Sequence, residues 1–447
     1  MDKIRITPLG AAQTVTGSAT LLEHANGKVL IDFGIFQGGT EAEEMNFAPL
    51  NFDPAQLDAV ALTHAHLDHV GRLPRLVAEG FKGPIITHPA SVEIAAVVLK
   101  DALHLMEQST RKLFSEEDLQ KTLKLFRPLS YNQKTEAAGF EIELFDAGHI
   151  LGSAHIQFRT GSRRIVFSGD IGQRGTPIIR DPWCRWPEGA ELVIVESTYG
   201  DRQHKELSST LEEFCAIVNR AVRLPGVILI PAFAIGRTQE LLYHLSQLME
   251  EGRIPQIPVI LDSPMAEKVT SIYRRHRECY DRETWEIIES GRLPFRPPYL
   301  REVGSAEESR SLSKLKPPAV IIAGSGMCTG GRILHHMATW LDKPSTSVVF
   351  VGFQGAGTLG RRLIDGAETI HIHGQELSVR AKIETLGGFS AHAGQDQLLN
   401  WCKSFSDQKP LFLVNHGEKK SCENFAGLLG ENALQAQVAC LNQTVEL

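Results

Sequence analysis

Residues 62–71 read LTHAHLDHVG and follow directly on the apolar run LDAVAL at 57–62. Within six positions stand His64, His66, Asp68 and His69. An apolar run of this length reads as a buried strand, and the polar cluster just beyond it marks the point where the chain leaves the sheet. Neutral imidazoles and carboxylates are the usual ligands of Zn²⁺, at about 2.0–2.2 Å. On an extended segment His64 and His66, two apart, point to the same side. Asp68 and His69 come one step later, where a helix would begin, and can serve a second ion about 3.5–4 Å from the first.

Two ions need more than four ligands. His149 in DAGHILGSA and Asp170 in FSGDIG are the next candidates. Each follows an apolar strand and has a neighbouring glycine that lets the backbone come close. A carboxylate such as Asp170 can bridge two cations. Asp32 in LIDFG also ends a strand, and its expected part is to orient a ligand or the bound water. The remaining histidines at 24, 88, 104, 155, 204, 244, 276, 335, 336, 371 and 373 read as ordinary core or surface residues.

Outward from the cluster the pattern comes in two textures. Up to about Gly200 the chain reads as strands with polar ends: SATLLEHANGKVLIDFG with its Asn26-Gly27 hairpin pair, then PIITH, FEIELFDAGH, SAHIQFRT, RRIVFSGDIG and ELVIVESTYGD. From about Lys205 to Ile372, apolar strands (GVILIPAF, PVILDSP, PAVIIAGSGM, SVVFVGF) alternate with helical segments. That alternation predicts βαβ units and a mostly parallel sheet. In the segment AIGRTQELLYHLSQLMEEG, the residues Leu241, Leu242, Leu245, Leu248 and Met249 share one helical face. A helix QDQLLNWCKSF and a strand PLFLVNHGE close the pattern.

At 447 residues the chain exceeds what one hydrophobic core fills, so two or three domains are expected. No basic segment precedes an apolar run at the start and no stretch of 18 apolar residues occurs, so neither a secretion leader nor a membrane span is read. Seven cysteines without a C-x-x-C pattern point to reduced thiols in a cytoplasm. The net charge of −7 rules out a generally basic surface, not a local basic groove for nucleic acid.

At this point the residues resemble a family. THAHLDH matches the H-x-H-x-D-H motif of the metallo-β-lactamase superfamily, and IDFG, GHILGSA and SGD match its other motifs in order. Three further matches resemble the β-CASP ribonucleases, closest to the cleavage and polyadenylation specificity factor-like RNA-processing nucleases: Glu196 in VESTYGD, His392 in FSAHAG and His416 in VNHGE. The resemblance implies an αββα lactamase-type fold over residues 1–204 and 378–447, with a β-CASP domain on a mostly parallel sheet inserted at 205–377. It implies one metal held by His64, His66, His149 and bridging Asp170, and another by Asp68, His69, Asp170 and His416. The expected cofactor is two Zn²⁺ per chain, with Mn²⁺ as the alternative. By the same resemblance the archaeal N-terminal RNA-binding extension and a long C-terminal extension are not expected.

The activity implied is hydrolysis of RNA phosphodiesters, endonucleolytic, 5′–3′ exonucleolytic or both, by a water activated between two zinc ions, leaving 5′-phosphate and 3′-hydroxyl. The catalytic residues implied are His392, which protonates the leaving oxygen, Glu196, which holds that imidazole, and Asp68. Single-stranded RNA is the expected partner, because DNA-processing relatives tend to carry an apolar residue where this chain has His416. No membrane is expected, and a homo-oligomer is left open. Ser390, Arg237, Arg332 and Arg361 are candidate phosphate contacts, the arginines because each follows a glycine-rich turn. GAGTLG at 355–360 fits G-x-G-x-x-G, but it lies late in the chain, so no NAD site is read from it. The competing function is a dinuclear hydrolase of a small thioester, lactam or phosphoester, disfavoured because such a substrate needs no inserted domain of about 170 residues. A binding subunit with a dead site is disfavoured by its intact motifs.

Overall fold

The computed structural model describes residues 3–107, 111–352, 354, 355, 357–405 and 409–447. The chain divides into two compact units, one formed by Met1–Thr176, Arg180–Gln203 and His392–Leu447, the other by Pro177–Ile179 and His204–Ala391.

The first unit is an αββα sandwich. One seven-stranded sheet runs in the order Val445–Glu446, Arg5–Pro8, Thr20–His24, Gly27–Ile31, Ala59–Ala61, Ile85–Thr87, Phe126–Pro128. The other runs Gln435–Val438, Leu411–Val414, Leu192–Val195, Arg163–Phe167, Ala154–Thr160, Phe140–Asp146, Lys134–Ala137. Successive strand side chains point to opposite faces, and both sheets turn their apolar set inward. Val29, Ile31, Ala59 and Ala61 meet Ile142, Leu144, Ile165, Phe167, Ile194 and Leu413 in one buried core. The residues between them in sequence, Val166, Val193, Val195, Phe412 and Val414, face the other way, onto helices Gln395–Lys403 and Lys419–Glu431 through Leu398, Trp401, Phe425 and Leu429. Each such side chain contributes roughly 1.5–3 kcal/mol by leaving water.

Strand direction places the site. Arg163–Phe167, Leu192–Val195 and Leu411–Val414 are consecutive and parallel. Asp170, Glu196 and His416 therefore leave the same edge of one sheet. In the other sheet Gly27–Ile31 and Ala59–Ala61 are also parallel, so Asp32 and His64 leave together.

The second unit carries a six-stranded sheet in the order Leu300–Glu302, Val259–Asp262, Ala319–Ala323, Val227–Pro231, Ser347–Phe350, Lys382–Thr385, with every pairing parallel. Its central strands are buried on both faces, which is why they read as unbroken apolar runs. The second compact unit extends to Ala391, and its edge strand Lys382–Thr385 pairs with Ser347–Phe350. Helix Arg237–Glu250 buries its polar residues Arg237, Gln239, Glu240 and His244 along with the leucines.

The glycine pattern at 355–360 has a packing explanation. Any side chain at Gly360 would collide with the Gln354 amide, which donates to the Gly326 carbonyl at 2.9 Å. Ala356, inside the pattern, lies outside the described residues.

Candidate metal centre

Each element delivers its side chain for a local reason. After Ala59–Ala61 the chain stays extended through His66, then turns into the short helix Leu67–Val70, which carries Asp68 and His69. His149 sits in the turn after Phe140–Asp146, where Ser153 Oγ accepts from the His149 and Ile150 N–H groups at 3.1 and 3.2 Å. Asp170 follows Arg163–Phe167, and Gly172 beyond it packs so tightly that a Cβ would lie 1.7 Å from the Gly148 carbonyl oxygen. Asp32 and His416 both adopt left-handed φ, 58° and 47°. Such backbone costs about 1–3 kcal/mol for a residue with a side chain, and it collects at functional sites.

The structure brings seven of the candidate residues into two donor groups: His64, His66, His149 with Asp170, and Asp68, His69 with His416. In the first, His66 Nδ1 lies 3.1 Å from His64 Nε2 and 3.1 Å from His149 Nε2. Asp170 Oδ2 is 3.3 Å from His64 Nε2 and 3.5 Å from His149 Nε2. Four donors placed tetrahedrally around a zinc ion stand about 3.3–3.6 Å apart, so this spacing fits one ion. In the second, His69 Nε2 and His416 Nε2 are 3.1 Å apart, and Asp68 Oδ2 is 3.9 and 3.7 Å from them. Asp170 turns its other oxygen, Oδ1, to this group, 3.5 Å from His69 Nε2. Oδ1 is buried and accepts no hydrogen bond among the described residues. An orphaned carboxylate oxygen is costly, and a cation is the partner this donor set fits.

The electrostatics divide the two groups. Burial holds His64 and His149 below the ordinary imidazole range and pushes His66 down to about 3, aided by neighbouring rings. Their lone pairs are therefore available, as metal ligation requires. For His69 and His416 burial also disfavours the charged ring, but Asp170 with Asp32 or Asp68 outweighs it and both are raised. Asp170 is in turn held well below the carboxylate range, the charges of His416 and His69 overriding its burial. The carboxylate-rich side of the site thus calls for positive charge.

Asp32 Oδ2 is 2.7 Å from His69 Nδ1. Glu196 and His392 meet as well, with Nδ1 at 3.1 and 3.2 Å from the two carboxylate oxygens. Residue 393 donates to the Ile171 carbonyl at 2.7 Å, tying the His392 segment to the Asp170 loop. His392 is raised to about 9: burial opposes the charge, and Glu196 overcomes it, with help from Asp170 and Asp68.

Sequence reasoning missed three supporting hydroxyls. Thr63 donates to Asp32 Oδ2 at 2.8 Å. Thr198 Oγ1 lies 3.3 Å from His416 Nδ1 and 3.3 Å from its carbonyl oxygen, so it can take the Nδ1 proton and leave Nε2 as the donor atom. Ser153 is the third. Their only signal was adjacency, each lying within four residues of a metal-motif histidine or of Glu196.

The arginine candidates belong to the second unit and are engaged there. Arg237 is 5% exposed and paired with Glu240. Arg332 spans Asp262 Oδ1 at 2.5 Å and the Val303 and Gly304 carbonyls at 2.8 and 3.0 Å. Neither guanidinium is available to a phosphate without breaking these bonds. Arg361 is half-exposed and paired with Asp365 at 2.9 Å. Ser390 is buried.

Three family models match in the order this geometry requires: the Metallo-beta-lactamase superfamily over residues 13–206, the Beta-Casp domain over 238–363 and the Zn-dependent metallo-hydrolase RNA specificity domain over 376–438. Ribonuclease TTHA0252 of Thermus thermophilus is 41% identical over 442 residues, covering 99% of this chain and 100% of that one. The chain belongs to the metallo-β-lactamase superfamily and carries its β-CASP domain. Transcription termination factor FttA of Methanosarcina mazei is 31% identical over 95% of this β-CASP protein and 68% of its own length. FttA of Methanocaldococcus jannaschii is 30% identical over the same shares. A crystal structure of a protein of unknown function from Enterococcus faecalis shares the fold, with a TM-score of 0.57 over 100% of both chains at 15% identity. No helix among the described residues is long and apolar enough to cross a membrane.

Proposed function

We propose that this chain is a zinc-dependent ribonuclease that hydrolyses RNA phosphodiester bonds and leaves 5′-phosphate and 3′-hydroxyl ends. One observation carries the reading: buried Asp170 turns one oxygen to His64 and His149 and the other to His69. A carboxylate so placed suits a pair of cations. The substrate class is supported by the likeness to a ribonuclease over the whole chain and by the RNA specificity domain, which includes His392 and His416.

One ion would be held by His64, His66, His149 and Asp170, the other by Asp68, His69, His416 and Asp170. When bound, two divalent cations would acidify a shared water and offset charge gathering on the phosphate oxygens. The imidazole-rich donor set favours Zn²⁺, with Mn²⁺ the alternative. The chain's own acid is His392. Its Nδ1 faces Glu196, so the proton that passes to the departing 3′-oxygen is the one on Nε2. Glu196 is fixed by the Ile171 and Thr198 N–H groups, at 2.6 and 3.2 Å. Chemistry is assigned to the lactamase-type unit and RNA selection to the inserted one, with Ser390 and Arg361 retained as candidate phosphate contacts. Among the described residues no disulfide joins any two cysteines, which suits a cytoplasmic setting.

Incubation of 5′-labelled single-stranded RNA with purified protein and Zn²⁺ or Mn²⁺ tests the proposal. The wild type should release 5′-phosphorylated fragments. His392→Ala should lower the rate about 10²–10⁴-fold while metal content stays near two ions per chain. Uncut RNA from fully loaded protein would overturn the reading, and turnover of small esters instead would replace it.

A further inference from the structure

The second unit offers a feature the catalytic reading leaves unused. Phe233, two residues past Val227–Pro231, is 38% exposed. In parallel α/β sheets ligands bind beyond the carboxyl ends of the strands, and Phe233 stands there. Its ring lies against bare backbone: a Cβ at Gly326 would be 2.8 Å from the ring's Cδ2 and Cε2, and one at Gly352 would be 3.8 Å from Cε2. Gly326 and Gly352 belong to the loops that leave two flanking strands, Ala319–Ala323 and Ser347–Phe350.

The platform is braced from behind. Thr238 Oγ1 donates to the Phe233 carbonyl at 2.7 Å. Gln354 Nε2 donates to the Gly326 carbonyl at 2.9 Å, and the Gly360 N–H to the Met327 carbonyl at 3.2 Å. Beside it Ser325 Oγ accepts from the Thr329 and Gly330 N–H groups at 2.9 and 3.3 Å, which shapes the glycine loop. An apolar ring left partly in water is ordinary. An apolar ring fixed by hydrogen-bonded loops, its underside fitted to a glycine, is a built surface. A base stacked on an aromatic ring needs this geometry and no hydrogen-bond code, and gains about 1–3 kcal/mol by alanine substitution.

We infer that Phe233 is a base-stacking platform for single-stranded RNA, selecting for a nucleobase at one position of the bound strand. The inference rests on the ribonuclease reading. It makes the middle domain a contributor to binding through a flat aromatic contact.

The test is a cycle of protein and substrate variants. Wild-type holoenzyme and Phe233→Ala are compared on a short single-stranded RNA and on copies in which one abasic residue is walked along the strand. For intact RNA, Phe233→Ala should raise KM about 5- to 100-fold, with melting temperature and metal content unchanged, and Phe233→Trp should restore it. At one position the abasic residue should weaken wild-type binding by a similar factor and leave Phe233→Ala unaffected. Gly326→Ala, which must displace the ring, should mimic Phe233→Ala. Wild type that cuts RNA while Phe233→Ala keeps its KM, or abasic penalties identical in both proteins at every position, would overturn the inference alone. Wild type that cuts no RNA would instead remove the reading beneath it.

Discussion

Two buried aspartates stand at or just past the end of a strand in the two units, and their surroundings differ in kind. Asp262, 0% exposed in the second unit, accepts from Ser309 Oγ at 2.5 Å, from Arg332 at 2.5 Å and from His336 Nε2 at 2.6 Å. Those bonds outweigh the burial that would protonate it, and its pKa is lowered. Asp170, 2% exposed in the first unit, faces imidazole nitrogens at 3.3–3.6 Å, and its Oδ1 accepts no hydrogen bond among the described residues. One network closes on itself. The other is spaced for guests about one ionic radius wider than a hydrogen bond. Satisfied buried polar groups hold a fold, whereas a spaced and unsatisfied set holds a ligand.

The sharpest way to break this contrast is Asp170→Asn. The substitution removes the charge shared by both donor groups, so RNA cleavage should fall below detection and metal analysis should show neither ion retained. Retention of two ions would contradict the bridging role. Asp262→Ala should have the opposite profile: a loss of about 3–5 kcal/mol in unfolding free energy, from stranding Arg332 and His336, with full metal content in the molecules that remain folded. A smaller effect is expected of Thr198→Val. Without the hydroxyl that selects the His416 tautomer, metal affinity should drop about 10–100-fold, measured by competition with a chelator, while the melting temperature of metal-free protein barely moves.

The smallest expected change is in the pH profile. In the proposed mechanism His392 must be protonated to act as an acid, and its pKa is raised, to about 9, chiefly by Glu196 working against burial. Activity therefore holds below that value and falls as pH rises through it. Glu196→Gln removes the largest upward influence, so the alkaline limb should move toward neutral pH. An unmoved limb would mean that another group sets it.

Much of the site was legible because its chemistry is local. HAHLDH declares itself, and His149 and Asp170 stand just past apolar strands with glycines beside them. The parallel sheet was legible for a similar reason, since strands such as VILIP and AVIIA are covered on both faces. Other features depend on packing that no periodicity reports. Helix Arg237–Glu250 carries an amphipathic pattern, yet the unit closes over its polar side as well. Lys382–Thr385 is partly exposed and polar, so its place in the sheet comes from pairing rather than from hydrophobicity. The left-handed backbone at Asp32 and His416 has no glycine to announce it. Nor does local sequence show that Arg237 and Arg332 spend their charges inside the second unit.

His69 and His416 face each other across 347 residues of chain, and Leu411–Val414 must dock beside Leu192–Val195 before they can meet. A polypeptide still threading from the ribosome therefore cannot bring these two rings together until that late strand has emerged and paired. Products of premature termination, or of a proteolytic nick that releases the last strands, lack His416 at this position by the same wiring. The two donor groups are therefore complete only once the final strands of the chain are in place.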